Sequence, residues 1–426
     1  MRKTYFLIIV GIFFVLVSCK KDDPFEMKYT KESVEESKAS VEDNAMAMLD
    51  KVKELEQVTA IEVLMNLNDL SQPVMLKSEE VNTIMMPLAL MKTIRQESVV
   101  SDVQGMLKTT ASALEDPMSI SDEWDEVVGK YTYNFMTGEF DKTEMNDAVV
   151  FKFPGKEGDK TNTAEITINN FDVYEVTDPL AIWPEDFDNV LPKSLKIELT
   201  YKGAPIAGFE FSASYKPDGM PVKVTTKMTL DDFSFALELT HSPYSEASFK
   251  ETFKYENQIL FEFYAKANGN WSEDNLEDFT DDKEFEEIVN SANAHFIFMN
   301  IKVAGQVNIK GLADKMTILE DDYADDEYTE SQFTDEMVKT INSNAKMVVV
   351  YTDENRKIAS AEAYKYHDEE WDDYWVDMRF VFKDGSKVDI ETYFTEQMDN
   401  FYEELADFID EISEKYNLEE EDFIEF

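Results

Sequence analysis

Three histidines, one cysteine and ninety carboxylates define the chemistry open to this chain of 426 residues. His241, His295 and His367 sit at apparent strand boundaries, and none shows the i, i+4 helical spacing with which two imidazoles close on zinc. No G-x-S-x-G elbow offers a serine to a histidine base, and no G-x-G-x-x-G or Walker-type loop presents backbone amides to a phosphate. The histidines therefore read as structural, no catalytic residue is nominated, and the chain is not expected to be an enzyme. Carboxylates are so dense that adjacency in sequence nominates no glycosidase pair. Two acidic stretches stand apart. Asp321, Asp322, Asp325 and Asp326, with Glu327, offer oxygen ligands for calcium in what reads as a loop between Glu320 and Glu330, although the EF-hand spacing and its central glycine are missing. Calcium is the one cofactor candidate. In Glu369-Glu370-Trp371-Asp372-Asp373-Tyr374-Trp375, rings that can stack on a sugar alternate with acceptors for its hydroxyls. Trp371, Asp373 and Trp375 are thus candidate glycan contacts; the alternative is a loop entering a strand with one tryptophan turned inward.

The cysteine is a different matter. Arg2 and Lys3 precede an apolar run from Tyr5 to Val17, then Ser18 and Cys19, which is the layout of an export signal. As a helix, Thr4 to Ser18 would span only about 22 Å, short of a hydrocarbon core of roughly 30 Å, so a permanent transmembrane helix is not expected. Leu16-Val17-Ser18-Cys19 resembles the lipobox of bacterial lipoproteins. That resemblance implies cleavage before Cys19, diacylglycerol on its sulfur and acylation of its amine, and anchoring through two or more chains is stable where one is marginal. Lys20, Lys21, Asp22 and Asp23, just behind the cysteine, are similar to the surface-export signal of Bacteroidota lipoproteins. The implied address is the outer membrane, lipid-anchored and facing outward, with a solvated tether as the plainer reading of those charges.

Composition narrows the partners. The formal net charge is −50, and loss of Arg2 and Lys3 takes it two units further, so nucleic acid and anionic membrane surfaces are repelled. With Cys19 as the only cysteine, intramolecular disulfides, thiol nucleophiles, zinc–thiolate sites and iron–sulfur clusters are excluded, and stability must come from core burial.

The elements that would position these groups fall in three regions behind the signal (1–18) and tether (19–31). Region 32–120 is helical: Val41, Ala45, Met48, Val52, Leu55, Val58, Ile61 and Met65 form one stripe at three- and four-residue steps. Region 121–270 alternates with period two. Phe209, Phe211, Phe233, Phe235, Phe261 and Phe263 fall on apolar faces, with Pro217-Asp218-Gly219 as a turn, which predicts an antiparallel meander. Region 271–426 is α+β: an acidic helix over 272–292, a strand pair near 295–307, a helix over 331–344, and a second meander ending in a strand over 387–393. The last two strands turn at Lys383-Asp384-Gly385-Ser386, and a closing helix over 395–416 aligns Phe401, Leu405 and Phe408. The expected fold is α+β, with N-terminal helices packed on a large antiparallel meander and a second meander with flanking helices. Two functions fit. One is a non-catalytic module binding a glycan, peptide or protein partner. The other is a carrier whose six phenylalanines line a cavity for an apolar ligand, an analogy of architecture with lipid-carrier lipoproteins.

Overall fold

The computed structural model describes residues 23–71, 124, 128–179, 189–242, 245–272, 285–325, 327–368, 373–395 and 399–416. Cys19, Lys20, Lys21, Asp22, Asp326 and Trp371 lie outside them. Described helices are α1 (Val34–Val52), α2 (Thr59–Ser71), α3 (Phe285–Ile288), α4 (Ile309–Ala324), α5 (Glu330–Asn344), α6 (Ile390–Thr395) and α7 (Asp399–Tyr416). No described helix is long and apolar enough to cross a membrane. The first eight strands are β1 (Gly129–Asn134), β2 (Glu139–Thr143), β3 (Val149–Phe153), β4 (Ala164–Glu175), β5 (Val190–Tyr201), β6 (Ala204–Tyr215), β7 (Pro221–Leu230) and β8 (Phe233–Ser242). They are followed by β9 (Glu246–Tyr255), β10 (Gln258–Gly269), β11 (Val289–Phe298), β12 (Ile301–Val307), β13 (Ala345–Tyr351), β14 (Arg356–Asp368), β15 (Asp373–Phe382) and β16 (Lys387–Asp389). All sixteen belong to one hydrogen-bonded order that follows the chain from β16 down to β3 and then runs β1-β2. The sheet is mainly antiparallel, and β1 beside β3 is parallel. The fold is α+β, dominated by one large sheet.

Two compact units are distinguished, Glu54–His241 with Phe253–Glu256, and Met1–Lys53 with Ser242–Thr252 and Asn257–Phe426. In the first, strict alternation puts Phe209 and Phe211 beside Met228 and Thr226 of β7, which in turn face Phe235 and Leu237 of β8. Phe209, Phe211, Phe233, Leu195 and Leu199 are buried on that face. The turns need backbone that most side chains avoid: Gly219, at φ 88°, closes the β6–β7 turn, and Lys202-Gly203 joins β5 to β6 with both residues at positive φ. α2 is tied into this unit by Thr59 N–H to Asp231, Asn66 to the Pro154 carbonyl, and a Lys156–Glu62 ion pair.

In the second unit α1 starts at a capping box in which Ser33 and Glu36 satisfy each other's backbone N–H. Ala45 and Leu49 of α1 are buried against Phe401 and Phe408 of α7, with Phe298 of β11 alongside. Leu49, Phe401 and Phe408 each contribute about 1.5–3 kcal/mol by leaving water. α4 is capped by Asn308, and α5 by a Thr329–Gln332 capping box.

Four sequence expectations change. The single stripe over 41–65 is two: the helix stops at Val52, a 3-10 turn spans Lys53–Gln57, and Leu49 rather than Met48 is the buried residue. Of the acidic helix, only Phe285–Ile288 is described as helical and Val289–Ala292 are strand, because β11 pairs with β10 and β12 over those residues. The acidic loop begins later, since α4 continues through Ala324 and carries Asp321 and Asp322. The strand expected over 387–393 lasts three residues. Helix α6 then turns Tyr393 into the core, edge-on to Phe380 at 5.2 Å between ring centroids.

Candidate functional site

Two constellations in the second unit bring chemistry-bearing side chains together, one on the surface and one buried. The surface one is built by β14 and β15, whose register pairs Glu362 with Arg379, Tyr364 with Asp377, Tyr366 with Trp375 and Asp368 with Asp373. Directly paired residues of antiparallel strands point to the same side, so these eight share one face. Tyr366 is 48% exposed and Trp375 36%. Beside them the Tyr364 hydroxyl donates to Asp389 Oδ1 at 2.9 Å and lies 3.3 Å from Asp377 Oδ2. Burial, together with those two carboxylates, holds the phenol above its ordinary range. The Arg379 guanidinium covers the Tyr364 ring at 4.3 Å. Both cations on this face converge on one carboxylate oxygen, Glu362 Oε1: Lys387 Nζ at 2.7 Å, Arg379 Nη2 at 2.8 Å and Arg379 Nε at 2.9 Å. The Lys387 bond, reinforced by Arg379, keeps Glu362 below the usual carboxylate range.

The reverse side of these strands is anchored. Met378, Phe380 and Phe382 are buried there, Lys365 reaches Asp335 Oδ2 of α5 at 2.8 Å, and Tyr374 stacks on His367 at 4.6 Å. The aromatic side therefore stands on strands held from behind. Of the three glycan candidates, Trp375 and the half-buried Asp373 are on this face and Trp371 lies outside the described residues. The sequence reading missed Tyr366 and Tyr364, which join the site only through a register that no single strand reveals.

The buried constellation is centred on Glu262 of β10. His295 Nε2 is 2.9 Å from Glu262 Oε1, Lys250 Nζ is 2.9 Å from Oε2, and Thr252 donates to Oε2 at 3.5 Å. Tyr264 stacks on the imidazole at 5.3 Å. Burial works to raise the Glu262 carboxyl, but the bonds from His295 and Lys250 outweigh it and hold it at about 2. Burial also dominates His295, keeping its pKa below the ordinary 6.5 despite Glu262. A carboxylate orienting an imidazole is two-thirds of a hydrolase triad. Here both residues are 6% exposed, and the neighbouring hydroxyl spends its proton on Glu262. The arrangement ties β9, β10 and β11 together beneath the surface. His295 lies inside β11, not at a strand boundary as its sequence context suggests, whereas His241 and His367 are each next to last in their strands. Burial, with Lys216 second, lowers His241 to about 4.

The six candidate phenylalanines fall in both units. Phe209, Phe211, Phe233 and Phe235 belong to the first, and Phe261 and Phe263 to the second, where they pair with Phe298 and Phe296. Two cavities lined by described residues have volumes of about 290 and 510 Å³, one around Gly208 and Glu210, the other around Asn44 and Met299. None of the six lines either. Among the described residues, no three histidine, cysteine or carboxylate side chains converge as a metal ion requires. Asp321, Asp322 and Asp325 occupy the last turn and cap of α4. No family model matches the chain, and neither a curated protein nor a solved structure matches it.

Proposed function

We propose that this chain is a lipid-anchored lipoprotein of the outer membrane, displayed at the cell surface, whose folded body is a non-catalytic binding module. Leu16-Val17-Ser18-Cys19 carries the address, and Lys20 to Asp23 the outward orientation. The face of β14–β15 is the observation that carries the binding role: Tyr366 and Trp375 are opposed and exposed on strands whose reverse side is packed through Met378, Phe380 and Phe382 and tied to α5 by Lys365. The N-terminal helical segment is taken to lie over the first meander, a reading supported by the bonds from Asn66 and Glu62 of α2 to Pro154 and Lys156. A second reading, carriage of an apolar ligand, is favoured by the continuous apolar side of the first unit around Phe209, Phe211 and Phe233. Partners exclude nucleic acid on charge grounds.

The address is tested by expressing Cys19→Ser. The unaltered chain is expected in the membrane fraction, acylated by mass spectrometry and cut by protease added to intact cells. The variant is expected to lose the acyl mass and the membrane retention. Unchanged processing and retention in the variant would overturn the anchor. Extraction of the native protein for lipid analysis separates the two readings, since a co-purifying apolar molecule supports the carrier.

A further inference from the structure

The face of β14–β15 is specific enough to name a ligand class. It presents two kinds of group. Tyr366 and Trp375 are directly opposed across the strands and both exposed, so they place an aromatic patch on one side of two adjacent strands. Around this patch stand Asp368, Asp373 and Asp377, and a carboxylate can accept about four hydrogen bonds. Donors already placed on two of them use a fraction of that capacity: the Tyr374 N–H on Asp373 and the Met378 N–H on Asp377. The face is therefore rich in ring surface and in acceptors. Its cations, by contrast, are engaged, for Arg379 and Lys387 both end on Glu362.

Those features discriminate among ligands. An apolar ligand would leave the carboxylates under it dehydrated and without partners, which is costly. A phosphate, sulfate or uronate would meet several carboxylates and find both cations of the face already held by Glu362. A pyranose ring carries C–H groups on its flat sides and hydroxyl donors on its rim, matching rings and acceptors together. We propose that this face binds an uncharged polysaccharide, with sugar rings stacked on Trp375 and Tyr366 and hydroxyls donated to Asp373 and Asp377. The inference rests on the reading of this face as the binding surface and adds the chemistry of what it binds. Affinity comes from the stacking, and exclusion of charged glycans from the acids.

Native affinity electrophoresis of the full chain tests it. Gels contain either neutral polysaccharides (a β-glucan, a xylan, a mannan) or acidic ones (polygalacturonate, heparin). Expected is retardation by at least one neutral polymer and by neither acidic one. W375A and Y366A should each weaken it at least tenfold, while Tyr402→Ala, an exposed aromatic on α7, changes nothing. Unchanged urea midpoints in W375A and Y366A would show that they remain folded. Retardation only by an acidic polymer, abolished by W375A, keeps the face as a binding surface and overturns the charge class. No retardation by any of the five, or retardation indifferent to both variants, overturns the glycan proposal. The Cys19→Ser result is independent of all these outcomes.

Discussion

Glu262 shows how much one misplaced-looking acid can do. It lies between Phe261 and Phe263, and alternation assigns it to the wet side of β10, yet its side chain is buried with His295 and Thr252 and reached by the part-exposed Lys250. Nothing in the sequence of β10 announces this, because the group that makes burial tolerable is on another strand and reaches Glu262 only once β10 and β11 take their register. Replacing Glu262 by Gln removes the charge but keeps the shape, leaving Lys250 and His295 with a weaker partner. The expected loss is about 2 kcal/mol at neutral pH, the order of a hydrogen bond to a charged group. The pH dependence has a defined sign. The folded carboxyl titrates at about 2 against an ordinary 4.5, so as pH falls the unfolded chain takes up its proton first. This contribution is complete above about 4.5 and lost toward 2. His295 is likewise depressed, so its contribution is complete above 6.5 and declines below it. Urea titrations from pH 7 to 3 should show the unaltered protein weakening with acid and Glu262→Gln starting lower with a flatter acid limb. Equal midpoints at pH 7 would sink the assignment.

At the level of elements, period-two and helical patterns were the legible part. The apolar faces of β6 and β8, the Pro217-Asp218-Gly219 and Lys383-Asp384-Gly385-Ser386 turns, and the Phe401–Leu405–Phe408 side of α7 are where the residues alone place them. Element ends were less legible. α4 extends through Asp321 and Asp322, acids that composition assigns to a loop, and Ile390–Thr395 is helical although Val388, Ile390 and Tyr393 read as strand. For Ile390–Thr395 the deciding term is tertiary: Tyr393 is fully buried against Phe380 and Phe382, which local propensity cannot see. The site was half legible. Trp375 and Asp373 stood out by type, but Tyr366 and Tyr364 are seven or more residues away in sequence and meet them by pairing alone. Gly269 gives this level its own test. It ends β10 at a register shift opposite Val289, and a methyl group there would strike the Ile288 carbonyl. Because that obstacle is backbone, it cannot rotate away. Gly269→Ala should cost about 2–4 kcal/mol, measured as a lowered denaturation midpoint, whereas Gly158→Ala, which meets nothing nearby, should cost less even with its positive φ. Similar losses at the two positions would show that the Ile288 carbonyl is not the obstacle at Gly269.

For the molecule as a whole, the governing quantity is a charge of −50. Ion pairs such as Lys193–Asp172 and Lys223–Glu238 are exposed, and exposed pairs contribute roughly 0–1 kcal/mol each. With ninety acids and forty bases, most carboxylates must face others of their own sign, and compaction brings them closer, which opposes folding. Salt acts on both terms, weakening the pairs and the repulsion together, and the excess of acids decides which loss matters more. The Debye length shortens from about 30 Å at 0.01 M to about 3 Å at 1 M, so repulsion across the surface is removed while contacts near 3 Å persist in part. The thermal midpoint should therefore rise by several degrees between 10 mM and 500 mM NaCl, and by the same amount with KCl, in differential scanning calorimetry. Mild acid is not equivalent to salt, because below 6.5 His295 withdraws its contribution. Lowering pH from 7 to 6 should thus lower the midpoint slightly, whereas adding salt at pH 7 raises it. A midpoint that falls with NaCl would mean that the ion pairs, not the unbalanced acids, dominate the electrostatics of this fold.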